Sequence, residues 1–200
     1  GAGHGGGVKK TMKKLLFVFP LLFLVSLASS AQERSADALF GSAGLNVSDG
    51  TTIGATLAAG VGYQRTLGKP WLRLVPSLNF ATYTNRLTQD VPDAFQNSIS
   101  LKVNLNVDVF TVGSFSVFAG AGLSGNRTSG LIGTGGDPGR QRSDYFRRGH
   151  LAVNGLIGFR LIPPASRFGY ELLVINASVG GEGYGTEVGV LQFRLLFDVR

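Results

Sequence analysis

Between Asn97 and Phe110 the chain reads NSISLKVNLNVDVF, with Ile99, Leu101, Val103, Leu105, Val107 and Val109 at every odd position. Ser98, Ser100, Lys102, Asn104, Asn106 and Asp108 fill the even ones. A helix of period 3.6 would scatter these two sets around its surface, whereas a strand sends successive side chains to opposite faces. The pattern predicts a strand with one wholly apolar and one wholly polar face.

Seven further segments share the alternation. Leu39–Val47 sets Leu39, Gly41, Ala43, Leu45 and Val47 against Phe40, Ser42, Gly44 and Asn46. In Thr52–Leu67, Ile53, Leu57, Val61 and Tyr63 oppose a small or polar set. Trp71–Asn85 opposes Leu72, Leu74, Leu78 and Phe80 to Arg73, Ser77 and Asn79, and Pro76 within it predicts a bulge, since proline removes a ladder donor. Phe115–Ser124, Leu151–Leu161, Phe168–Ile175 and Leu191–Val199 follow the same rule, the third less cleanly: Phe168, Tyr170, Leu172 and Val174 against Gly169, Glu171, Leu173 and Ile175.

The connections sort by length. Those after the second, fourth and sixth segments are short, while Arg86–Gln96, Asn126–Arg148 and Gly180–Gly185 read as longer polar or glycine-rich loops; the first connection of that second set, Ser48–Gly50, is also short. In an up-and-down meander alternate connections lie at one end, so tight turns and both termini share one end and long loops occupy the other. Membrane barrels have this asymmetry, and a soluble sandwich has no physical reason for it.

Charge placement agrees. Arg73, Lys102, Asp108, Arg160, Glu171, Arg194 and Asp198 all fall in the polar register. A lipid-facing Arg or Lys at mid-bilayer costs about 2–4 kcal/mol, which explains their exclusion from the apolar register. The polar register is therefore a lumen, and these seven residues form the expected lumenal charge network. Inward glycines, among them Gly44, Gly60, Gly62, Gly120, Gly122 and Gly158, leave room for longer neighbours. Trp71, Tyr83, Phe110, Phe115, Phe168 and Phe197 are candidates for interfacial aromatic girdles.

The start of the chain adds a compartment. Lys13 and Lys14 precede the apolar Leu15–Leu27 and a small-residue stretch ending at Ala31, the order of a secretory signal peptide. With Pro20 inside it, the apolar core is short for a span of roughly 20 residues. Residues 12–31 read as the signal, 1–11 as upstream or expression-derived sequence, 32–38 as a short lead-in and 39–200 as the barrel. Four of the 19 basic residues precede position 32, leaving 15 against 12 acidic ones, so the whole-chain excess of +7 says little about nucleic-acid binding. With no cysteine, disulfides and thiolate metal sites are excluded.

From Leu39 to Arg200 the chain resembles small eight-stranded outer-membrane barrels of the OmpA and OmpX type, the outer-membrane protein beta-barrel domain of Gram-negative bacteria. The resemblance implies an all-β, antiparallel, up-and-down transmembrane barrel in the outer membrane. It also implies a carboxy-terminal strand read by the barrel assembly machinery. Leu191, Phe193, Leu195, Phe197 and Val199 supply the alternation of that strand, while Arg200 stands where an aromatic residue is usual.

Motifs for chemistry are sparse. GTGGDPG at 133–139 lacks the lysine and strand-to-helix setting of a phosphate loop, and the loop aspartates lack EF-hand spacing, so no cofactor or metal is expected. His150 sits where a long connection enters a strand, as a lipid-modifying enzyme with a nearby serine would require; a solvated rim histidine is the plainer reading. Arg140, Arg142, Tyr145, Phe146, Arg147 and Arg148 form a basic and aromatic group in the longest connection, suited to lipopolysaccharide or a protein partner. The expectation is a non-enzymatic structural or surface-interaction protein, with a rim-active lipid enzyme or a narrow channel as alternatives.

Overall fold

Alternation becomes a closed wall in the computed structural model, which describes residues 37–48, 54–84, 95–137, 140–164, 166–180 and 186–199. The signal segment and everything before Asp37 lie outside the described residues. The strands are β1 (Ala38–Ser48), β2 (Gly54–Leu67), β3 (Lys69–Thr84), β4 (Phe95–Val112), β5 (Phe115–Asp137), β6 (Arg140–Leu161), β7 (Phe168–Gly180) and β8 (Thr186–Asp198). Each pairs antiparallel with the next, and β1 pairs with β8 to close the ring. Closure pairs every wall strand on both sides, which an apolar solvent demands.

Orientation follows the reading from β4. Leu101 is 58% exposed, with Val103 and Leu105 at 44%, while Lys102 is 5% exposed and Asn104 and Asn106 are essentially buried. The apolar residues face outward all round the wall, from Leu39 and Leu57 to Leu123, Leu151, Ile175 and Phe193. This is a transmembrane barrel with its polar residues inside.

The short connections share one end: Gly68 at φ 64° between β2 and β3, Gly113 at φ 56° between β4 and β5, and the link from Leu161 of β6 to Phe168 of β7. An outward aromatic belt lies at that end, with Phe115 over Phe159 at 5.8 Å, Phe168 by Phe197 at 5.5 Å and Tyr170 by Phe193 at 6.1 Å. Trp71 is exposed there too. Tyr83 departs from the girdle expectation: its side chain points inward and is 1% exposed.

Four further expectations are corrected. Pro76 carries no bulge. The β2–β3 ladder keeps one register from Gly62↔Ser77 to Arg65↔Leu74 and opens between them, opposite Pro76, while Pro76↔Val103 runs unbroken on the β4 side. The missing donor is thus absorbed by a gap in one ladder.

In β7 the pairing steps from Ile157↔Ile175 to Gly158↔Leu173, so Val174 is an extra residue. That step reverses the phase: Ile175 faces out at 47% exposure, where simple alternation would turn it in. Similar slips occur at Asp108/Phe110 in β4 and, between β1 and β8, opposite Ala43/Leu45, where Leu191 has φ 50°.

The stretch 126–148 is not a loop. β5 and β6 pair continuously from Phe115↔Leu161 to Asp137↔Arg140, with one irregularity at Gly133/Gly135. Phe95 and Gln96, assigned to a loop by sequence, likewise belong to β4.

Candidate functional site

The lower lumen is built by inward positions of β3 to β8. Arg73 donates through both terminal nitrogens to the two oxygens of Asp108. Arg160 donates through Nη1 to Asp108 Oδ2 at 3.2 Å and through Nε to Glu171 Oε1 at 2.8 Å. Arg194 Nη1 completes the chain at Glu171 Oε2, 3.2 Å away. The order is Arg73, Asp108, Arg160, Glu171, Arg194, with opposite charges alternating and every side chain buried.

Aromatic rings carry the guanidinium planes. Arg160 lies 4.9 Å and Arg73 5.9 Å from the Phe118 centroid, and Arg194 lies 4.6 Å from that of Phe40. Cations over ring faces gain about 0.5–2 kcal/mol each, more where water is excluded. The inward glycines make this packing possible. A Cβ on Gly158 would stand 3.0 Å from the Phe118 ring and 2.6 Å from the Leu172 carbonyl, and one on Gly62 would collide with the Phe40 ring and stand 2.6 Å from the Pro76 carbonyl. At outward Gly155 the nearest atom would be 4.0 Å away.

Five of the seven sequence-derived charges are therefore brought together. Lys102 stands apart, higher in the lumen, donating to Ser178 Oγ at 3.1 Å. Asp198 lies at the turn end, where its backbone N–H donates to the Arg167 carbonyl at 2.8 Å, and it takes no part in the five-residue chain.

Alongside Lys102 is a group that sequence reasoning missed. Asn176 Nδ2 donates to Gln192 Oε1 at 2.9 Å, Gln192 Nε2 to Asn46 Oδ1 at 2.7 Å, and Asn46 Nδ2 to Glu187 Oε1 at 3.0 Å. The Tyr83 hydroxyl donates to the same Glu187 oxygen. Gln192 and Asn46 each accept from one neighbour and donate to the next, so the chain is polarised toward the carboxylate. The slip at Leu191 is what turns both Glu187 and Gln192 inward, an odd and an even position on one strand.

The external mouth holds a polar cavity of about 30 Å³ lined by Tyr83, Asn126, His150, Ser178 and Glu187 among others. That is room for about two waters. His150 Nε2 lies 3.3 Å from Asn126 Nδ2.

The basic and aromatic group of 140–148 is split rather than clustered. Tyr145 and Arg147 share the outward register of Leu151, and both are exposed. Phe146 and Arg148 share the inward register of His150, with the Arg148 guanidinium 5.9 Å from the Phe146 ring. The side chains of Arg140 and Arg142 lie outside the described residues. Arg127, not singled out by sequence, is exposed on the outward face opposite Gly149 and diagonal to Arg147, which pairs with Ser129.

Closed ring, lipid-facing belt and enclosed charges together define the small eight-stranded outer-membrane barrel fold. Solved structures with this fold match the chain. Neisserial surface protein A is 12% identical, with 81% of this chain and 96% of that one covered at a TM-score of 0.60. Ail, the attachment invasion locus protein of Yersinia pestis, is 10% identical, with 82% and 97% covered at a TM-score of 0.50. No protein-family model matches the chain, and no curated protein matches it in sequence.

Proposed function

We propose that this chain is an integral outer-membrane protein, exported through the signal segment 12–31 and inserted by the barrel assembly machinery, whose extended β5–β6 hairpin is a surface-interaction element. The outer face of that hairpin contacts lipopolysaccharide. The observation that carries this reading is the position of Arg127 and Arg147. Both are exposed on the outward face just beyond the apolar belt, Arg127 level with Ile99 of β4.

Diagonal neighbours on adjacent strands lie about 7–8 Å apart, a spacing at which two guanidinium groups address one phosphorylated headgroup. Tyr145, 66% exposed beside Arg147, adds an amphipathic side chain at the same boundary. The outward alternation of β8, from Leu191 to Val199, supports insertion by the assembly machinery.

The test is a double charge reversal, Arg127→Glu with Arg147→Glu, in barrels reconstituted with purified lipopolysaccharide. Loss of co-purifying lipopolysaccharide, with heat-modifiable gel mobility unchanged, is the expected result. Equal retention by the variant and the parent overturns the lipid contact.

A further inference from the structure

Among the described residues, four basic side chains are buried in the lumen: Arg73, Lys102, Arg160 and Arg194. The three arginines are each bound to a carboxylate, Asp108 or Glu171. Lys102 forms no such pair among the described residues. Its partner is a hydroxyl, with Nζ 3.1 Å from Ser178 Oγ. Glu187, which lines the same small polar space as Lys102, takes its hydrogen bonds from Asn46 and Tyr83 instead.

A lysine placed only to balance charge in a dry interior needs a carboxylate. A lysine held dry against a hydroxyl has a different use. Unlike arginine, it can give up its proton when desolvated and then act as a general base. With the proton on oxygen and Oγ–H donating to a free amine, this same contact is the starting arrangement of a serine nucleophile with a lysine base.

The surroundings separate the two roles. Ser178 of β7 stands opposite Asn154 of β6 and Glu187 of β8, and lines the cavity at the external mouth. Lys102 lines a second polar space of about 10 Å³, and the two spaces share Ser98 and Glu187. The hydroxyl therefore faces the mouth cavity, while the amine touches it from outside that cavity. With room for about two waters, the cavity accepts an acyl group no larger than acetyl, the remainder of the molecule staying outside. Glu187 on the same wall disfavours an anionic acyl group.

We propose that Ser178 and Lys102 form an acyl-transfer site at the external mouth that hydrolyses uncharged esters of short acyl groups. Ser178 Oγ attacks the ester carbonyl carbon as its proton passes to Lys102 Nζ. The C–O bond to the alcohol breaks, and the alcohol leaves with that proton. Water then attacks the acyl-serine, giving a proton to Nζ; the C–Oγ bond breaks, the carboxylic acid departs and Oγ recovers the proton. This activity goes beyond the surface-interaction reading and does not depend on it, since Arg127 and Arg147 take no part.

The test uses the full barrel in lipid nanodiscs and a small alkyl fluorophosphonate, which forms an Oγ–P bond to an activated serine as fluoride leaves. The expected result is one label per barrel, located at Ser178 by peptide mass spectrometry and absent from Ser178→Ala. Lys102→Arg keeps the cation and the donor but not the base, so labelling should slow by about a hundredfold or more while heat-modifiable mobility is unchanged. Should that variant fail to fold, Lys102→Met, which keeps the stem, is expected to give the same slowing. 4-Nitrophenyl acetate should be hydrolysed about tenfold or more faster than the octanoate, and Ser178→Ala should lose the difference. Labelling at another residue, no labelling at all, acetate hydrolysis unchanged in Ser178→Ala, or a parental labelling rate in folded Lys102→Arg overturns the proposal.

Discussion

Arg160, on β6, reaches past Phe118 of β5 to Asp108 on β4, placing Nη1 3.2 Å from Oδ2. The carboxylate already receives Arg73 from β3, so it holds two guanidinium groups from strands three apart. Moving buried charges out of water is costly, and such a group contributes little net stability while intact, but removing one partner leaves the others unmatched. Asp108→Asn should therefore destabilise the barrel by about 3–5 kcal/mol, read as an earlier midpoint in urea unfolding from lipid vesicles.

Gly158 and Gly155 stand three residues apart on β6 and face opposite ways. A methyl at Gly158 collides with the Leu172 carbonyl and the Phe118 ring, while at Gly155 it meets nothing closer than 4.0 Å. Gly158→Ala should cost about 1–3 kcal/mol. Gly155→Ala should be neutral or stabilising by about 0.4–1 kcal/mol, because it only restricts the unfolded chain. The same vesicle unfolding assay separates the two.

Val103 lies midway along the outward row of β4 and is 44% exposed. Val103→Arg places a cation against acyl chains and should cost about 2–4 kcal/mol in a bilayer, with Ile99→Arg, near the external boundary, costing less than about 1 kcal/mol. A difference between the two that vanished in lipid vesicles would contradict the depth assigned to them.

Leu191 adopts φ 50°, in the left-handed region. A non-glycine residue there bears strain of roughly 1–3 kcal/mol, so Leu191→Gly should leave the barrel more stable than Leu191→Ala. Both substitutions remove the same outward side chain, and comparing the two unfolding midpoints isolates the backbone contribution.

At the turn end Asp37 accepts the Tyr63 hydroxyl at 3.1 Å and the Thr66 amide at 3.1 Å. Asp37→Ala removes both bonds and should cost about 1–2 kcal/mol, with increased amide exchange at Thr66 as the local readout.

Alternation made the wall legible because side-chain direction has period two and the two solvents, acyl chain and enclosed polar interior, differ sharply. The identity of the inward charges came with it. What alternation cannot carry is a phase slip. Val174 and Leu191 each shift the count by one, and nothing in LLVIN or GVLQF marks which residue is extra. For that reason simple alternation turns Ile175 inward and gives no sign of Glu187 or its amide chain. The long hairpin was hidden for a different reason. Its glycines and arginines lack an apolar face, and the pairing of β5 with β6 there is a relation between two distant stretches that neither displays alone. Tyr83 shows the same limit: an aromatic residue near a strand end reads as a girdle member until the partner carboxylate is seen.

The unequal ladders also give the barrel a front and a back. Among the described residues, β3 to β6 rise as a parapet on one flank, while the β7–β8 ladder stops at Val179↔Thr186 and the β1–β2 ladder at Ser48↔Gly54. The described strands on the first flank therefore stand taller as a screen than those on the second.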